Sequence, residues 1–331
     1  MKNLKNDWKK EKRMKNNKQI VEAKRILFFG TDDISSIAIN TLIEINANIA
    51  GVVTKPDKES GRKKQIIYSE IKQIALANNF KLFQPHKLSE AANEILNEIK
   101  PDLIITCSYG KIIPSIILNY PKYKCINIHP SLLPKYRGAS PIQYAILNHD
   151  KVTGVTLMYM VEEMDAGDIL FQEKINIDSI ETTYSLREKV KIKISEMLKK
   201  HFHEFFGEMK TIKQDEKLIT FTNVIKSNDE IINWNKNAID VAAKIRALYD
   251  KPIARTKYLN KIIKIYEALV IRNNDNAKPG EILAINKDGI LTKCGIDAVL
   301  IKTIQIEGKK QTSIKNLLNG NIIFKVGNCF I

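Results

Sequence analysis

The stretch RILFFGTDDISSIAINTLIEINANIAGVVT, residues 25–54, constrains this chain more than any other. A short apolar run ending in Gly30 reads as a buried strand, and the polar TDD after it marks a helix start. Thr31 or Asp32 is placed to cap that helix, whose apolar face holds Ile34, Ile37, Ala38 and Leu42. IAGVVT then reads as a second strand. A strand, helix and strand in this order imply parallel neighbours joined by a right-handed crossover, and hence a Rossmann-like α/β layer. The turn after the first strand lacks the second and third glycines of G-x-G-x-x-G, and no Gly-rich loop ending in Lys-Ser/Thr occurs, so a nicotinamide enzyme is disfavoured.

The pattern continues. SEIKQIALANN (69–79) and SEAANEILNEI (89–99) are helical, with Ser89 a cap for the latter. DLIITC (102–107), CINIH (125–129), GVTLMYM (154–160) and ILFQEKINI (169–177) extend the sheet, and residues 182–206 form a long helix. Residues 208–228 are polar and aperiodic, which suits a linker. Beyond residue 229 come one helix (237–250) and short alternating segments split by turn signals, the pattern of a small β-barrel. A chain of 331 residues suits two cores. The division expected is a basic extension 1–24, an α/β domain 25–207, a linker 208–228 and a β domain 229–331.

Charge divides the chain in the same way. The net charge is +16, and it is not evenly spread. Residues 1–24 hold nine basic against three acidic side chains and residues 231–331 hold 17 against eight, leaving 27 against 26 between them. Basic ends on a near-neutral middle are the footprint of a polyanion binder. Four cysteines without a C-x-x-C pair fit a reducing compartment, taken as the cytoplasm. No apolar run is long enough to span a membrane, and the first 24 residues lack a secretory apolar stretch.

The chemistry-bearing segment is INIHPSLLPKYRGASPIQ (126–143). Asn127 and His129 are two apart on a strand and so share a face. They sit at its carboxyl end, where open α/β sheets bind ligands. The loop after them is stiffened by Pro134 and loosened by Gly138. Alone, this is equally a satisfied semi-buried histidine or a site. Asp165 and Asp168 flank Gly167 in a turn between strands, and spacing promotes neither. His201 and His203 fall on different helix faces, and His86 and His149 stand alone in loops, so a zinc centre is not expected.

Together with TGVTLMYMVEEMDAGDIL, FFGTDD, TKPDKESGRKK and SYGKIIP, this segment resembles the folate-dependent formyltransferases, and the similarity runs from Arg25 to the end. The resemblance implies a Rossmann-like formyltransferase domain followed by an OB-like barrel. It implies transfer of the formyl group of 10-formyltetrahydrofolate, with no metal, to an amine. The K-P-D…G-R-K-K loop and the basic second domain point to Met on initiator tRNA as acceptor. A sugar-nucleotide amine, or RNA binding without catalysis, remain the alternatives. The family triad falls on Asn127, His129 and Asp165, with Asn127 and His129 N–H groups facing an oxyanion and Asp165 orienting His129 or relaying a proton. Ser131, Leu132, Leu133 and Pro134 would line the folate site, and Arg62, Lys63 and Lys64 would meet tRNA. No protein partner is implied, and a monomer is expected. Pro130 stands where the family often has Gly or Ala.

Overall fold

The computed structural model describes residues 23–60, 65–249, 251–320 and 322–331. The chain divides into two compact units. The first takes residues up to 139 with 154–175 and 188–221, and the second takes 140–153, 176–187 and 222–331.

The first unit is built on β1 (Ile26–Gly30), β2 (Ile49–Val53), a hairpin of β3 (Lys58–Ser60) and β4 (Gln65–Ile67), β5 (Leu82–Phe83), β6 (Leu103–Cys107), β7 (Cys125–His129), β8 (Arg137–Gly138), β9 (Val152–Tyr159) and β10 (Ile169–Asn176). Its main sheet runs β10-β9-β7-β6-β1-β2-β5. β1 is parallel to β2 and β6, β6 to β7 and β2 to β5, whereas β9 is antiparallel to β7. Every residue of β1 and β6 is buried, which explains why both are apolar apart from Thr106: helices cover both faces of such strands. The order reverses between β1 and β6, so a crevice opens at their carboxyl ends.

Side-chain caps set some of the helix starts and not others. Asp32 rather than Thr31 caps the helix Asp33–Glu44, accepting from the Ser35 N–H at 3.2 Å. Ser69 caps Glu70–Ala77 in the same way. The helix Leu88–Ile99 begins one residue before the expected cap at Ser89, with Lys87 at its N-cap and no side-chain cap bond. Leu88 is buried, so packing sets this start instead of capping. The long helix ends at His201, and Phe202–Phe206 tightens into a 3-10 turn. There Phe202 meets the rings of Phe205 and Phe206 edge to face. On either side of residues 61–64, β3 and β4 pair antiparallel.

The second unit holds the helix Ala238–Ala247 and an antiparallel sheet. Following Phe221–Thr222 (β11), its strands are β12 (Arg255–Tyr258), β13 (Lys261–Ile271), β14 (Ile282–Asn286), β15 (Gly289–Lys293), β16 (Ala298–Ile306) and β17 (Thr312–Ser313), in the order β12-β13-β16-β15-β14 with β17 on β16. The final residues join its two edges. The Phe330 N–H donates to the Gly280 carbonyl and the Ile282 N–H to the Asn328 carbonyl, while Ile331 and Lys257 bond each other in both directions. Inside, the Trp234 ring stacks on Phe330 with centroids 5.6 Å apart, and its N–H donates to the Thr256 hydroxyl at 3.0 Å.

Residues 208–221 belong to the first unit and are not a free tether. Ile212 exchanges backbone bonds with Ile169, and Thr220 with Pro134 and Arg137. Their polar side chains are what hid this packing: they hydrogen-bond to backbone instead of filling a core.

Candidate functional site

β7 carries the centre of the site. Parallel pairing sets Asn127 beside Thr106 of β6, and the Thr106 hydroxyl donates to Asn127 Oδ1 at 2.6 Å. That bond fixes the amide, because its oxygen is committed to Thr106. Nδ2 then donates to Asp165 Oδ1 at 3.3 Å. An amide nitrogen has two N–H groups, so one is left to meet an incoming acceptor.

His129 is only 4% exposed. Its Nε2 lies 2.8 Å from the Tyr136 carbonyl oxygen. A carbonyl only accepts, so Nε2 carries the proton and the neutral ring has its lone pair on Nδ1. Nδ1 stands 3.6 Å from Asp165 Oδ2, near enough for charge interaction and too far for a direct hydrogen bond.

Asp165 reaches this position from a left-handed backbone at φ +52°. Holding a non-glycine residue there costs on the order of 1–3 kcal/mol, which surrounding contacts must offset. Gln214 supplies two of them, its Nε2 donating to the carbonyls of Asp165 at 2.7 Å and Gly167 at 2.8 Å. Gly167 has no alternative, because a Cβ there would lie 1.9 Å from the Tyr159 carbonyl oxygen. Asp168 closes the turn: its carbonyl accepts from the Tyr159 N–H and its carboxylate from the Thr211 hydroxyl. Geometry thus separates two carboxylates that spacing left equal.

The loop after β7 is held from both sides. The Thr156 hydroxyl on β9 donates to the Ser131 carbonyl at 2.6 Å and accepts from the Leu133 N–H at 3.2 Å. Gln172 donates to the Leu133 carbonyl at 2.7 Å. From outside, the Thr220 hydroxyl accepts from the Tyr136 N–H at 2.8 Å. The loop then turns through Gly138, at φ +112°, whose N–H donates to Asp165 Oδ2 at 2.8 Å.

The structure therefore brings Asn127, His129 and Asp165 together. Of the residues expected along the folate, Ser131 and Leu133 are buried and Leu132 and Pro134 are partly exposed. Ser131 turns its hydroxyl to the Lys135 carbonyl, and the Leu132 side chain packs against Gly154. Arg62, Lys63 and Lys64 lie outside the described residues, as do residues 1–22 of the basic extension. Thr106, Thr156, Gln172, Gln214 and Thr220 are working parts that the motif reading missed. The signal for Thr106 and Thr156 was a hydroxyl inside an otherwise apolar strand. Gln214 and Thr220 carried no signal. Among the described residues no three His, Cys, Asp or Glu side chains gather to hold a metal.

The chain also has relatives among known proteins. A sequence profile described as Formyl transferase matches residues 24–201, and one described as Formyl transferase, C-terminal domain, matches 224–321. The methionyl-tRNA formyltransferase of Malacoplasma penetrans is 42% identical over 305 residues, 92% of this chain and 96% of that protein. The protein of the same name from Clostridium novyi is 35% identical over 302 residues, 90% of this chain and 97% of its own length. Among solved structures, the N-formyltransferase of Helicobacter canadensis, in complex with folinic acid and dTDP-3-aminofucose, superposes with a TM-score of 0.63 at 19% identity, covering 84% of this chain and 98% of that one. HypX from Aquifex aeolicus, in complex with tetrahydrofolic acid, gives 0.62 at 21% identity over 89% of this chain, which spans about half (47%) of HypX. At these identities the structural likeness is one of fold.

Proposed function

The chain belongs to the formyl transferase family, and from that premise we propose how it formylates the α-amine of Met on initiator tRNA with 10-formyltetrahydrofolate as donor. The observation that carries the reading is the clamp on Asn127, whose amide is oriented by Thr106 and shares the Asp165 carboxylate with His129.

The attacking amine adds to the formyl carbon and the carbonyl oxygen becomes an oxyanion. The second Asn127 N–H meets that oxyanion, in a class of interaction whose loss costs about 10²–10³ in kcat. The amine must shed a proton and the folate nitrogen must gain one. His129 Nδ1 takes the first and returns it to the leaving nitrogen as the carbon–nitrogen bond breaks. This differs from the oxyanion role expected for a His129 N–H, because Nε2–H is already given to Tyr136. While the ring is protonated, the Asp165 carboxylate steadies its charge.

Arg62, Lys63 and Lys64 are assigned to tRNA contact from the family resemblance of their loop and from its charge. The basic second unit extends that contact, since a small acceptor gives a chain no use for 17 basic residues beyond residue 230. The compartment is taken as the cytoplasm, where initiator tRNA is used, and the chain as acting alone. The deciding experiment mixes the protein with 10-formyltetrahydrofolate, Met-tRNA and a sugar-nucleotide amine. Formyl label on Met-tRNA alone supports the reading, whereas label on the sugar amine overturns the acceptor.

A further inference from the structure

We propose that Lys55 seats a phosphate of the tRNA acceptor end, in the crevice where the carboxyl ends of β1, β2 and β6 meet. The inference rests on the tRNA reading above and deepens it, giving the lysine that opens the K-P-D…G-R-K-K loop a contact of its own.

Two residues beyond β2, the Lys55 ammonium lies against Gly110, where an added Cβ would come within 2.6 Å of Nζ. It is half-buried, and among the described residues it makes no hydrogen bond or ion pair. Burial, then the charges of Lys58 and Lys111, lower its pKa, against an opposing pull from Asp32. Nearby groups that might have answered it are engaged elsewhere. Asp57, the carboxylate of the same turn, is held by Lys72 and by Gln84. Asp32 caps its helix through the Ser35 N–H. Lys111 donates to the carbonyls of Pro85 and His86, both at 3.0 Å, which fixes a second cation beside the first.

A half-buried ammonium with no directly bonded anion among the described residues is unfavourable, and two neighbouring lysines outweigh the opposing pull of Asp32. An anion entering the crevice relieves both terms. Its place is where open α/β sheets hold ligands, outside the strand ends at the reversal of strand order. The site is also close to the chemistry. Thr106, which clamps Asn127, is four residues from Gly110, so their Cα atoms are at most about 14 Å apart. That suits a phosphate next to the aminoacylated end rather than one far down the stem. Lysine point charges hold backbone phosphates without reading sequence. The carboxylates of a folate glutamate tail share the chemistry of anionic oxygens, so the experiment has to separate the two.

Lys55→Gln and Lys55→Met in the full chain make the test, with Met-tRNA and 10-formyltetrahydrofolate varied separately over a range of KCl. The KM for Met-tRNA is expected to rise about tenfold, and the slope of log kcat/KM against log salt to flatten by about 0.7–0.9, the value for one lost phosphate contact. kcat and the KM for the folate stay as in the unaltered chain, and neither variant melts earlier, since each removes a half-buried charge. An unchanged tRNA KM and salt slope overturns the proposal. So does a raised folate KM that is largest for a polyglutamylated donor, or a fall in melting temperature in both variants, which makes Lys55 structural. Failure of the unaltered chain to formylate Met-tRNA would break the functional reading itself, a different result from an active enzyme indifferent to Lys55.

Discussion

Each unit buries a polar network, and the two networks are finished differently. In the second unit the Trp234 N–H reaches the Thr256 hydroxyl, and that hydroxyl donates on to the Ile331 carbonyl at 2.9 Å. The Tyr258 hydroxyl accepts from the Lys325 N–H and from Asn328, each at 3.0 Å. These groups spend their bonding capacity joining strands to the tail. Around β7, by contrast, Thr106, Asp165, Gly138 and Tyr136 hold Asn127 and His129 while leaving one N–H and one ring lone pair uncommitted. A network that closes on itself stabilises the fold, and one that stops a single bond short is ready for a substrate.

Replacing His129 by Ala should break the open network at its most expensive point. kcat should fall by about 10²–10⁴, with Met-tRNA affinity within a few fold, measured by single-turnover kinetics and filter binding. Retained turnover would move the proton-transfer role elsewhere. Asn127→Ala should lower kcat by about 10²–10³ and change the folate KM little. Thr106→Val tests whether orientation of the amide matters. It should cost about tenfold in kcat, of the order of one lost hydrogen bond, and Thr106→Ser should restore most of it. Rescue by Ser separates positioning from bulk packing.

The closed network predicts the opposite pattern. Trp234→Phe should lower stability by about 1–3 kcal/mol in urea melts and leave kcat at saturating substrates unchanged. The smallest expected effect concerns two buried thiols. Burial raises Cys125, and likewise Cys294, from the usual 9.0 to about 12. The unfolded chain therefore gives up these protons first, and stability declines as pH rises from 9 towards 12. At pH 8 iodoacetamide should label neither in the folded protein, which a mass spectrum checks.

Much of this was legible in sequence where a periodicity or a motif carried it. Complete burial of β1 and β6 follows from their largely apolar letters, and the shared face of Asn127 and His129 follows from strand period. The Asp165 role came through resemblance, since a bare acidic turn residue has no distinguishing pattern. Three features had no one-dimensional signal. The Asn127 orientation depends on a hydroxyl 21 residues away, the His129 tautomer depends on a carbonyl, and Gln214 acts on backbone from a segment that reads as a tether. Side chains that bond to backbone leave no hydrophobic rhythm behind.

The Gln214 bonds also limit how portable the reaction centre is. The profile that recognises the catalytic domain stops at residue 201, and a fragment excised there would carry all three of Asn127, His129 and Asp165. It would still lack the donor that holds Asp165 and Gly167 and the hydroxyl that holds Tyr136. Anyone grafting this activity onto another scaffold needs the sequence through Thr220, because the boundary of the chemistry lies some twenty residues beyond the boundary of the motif.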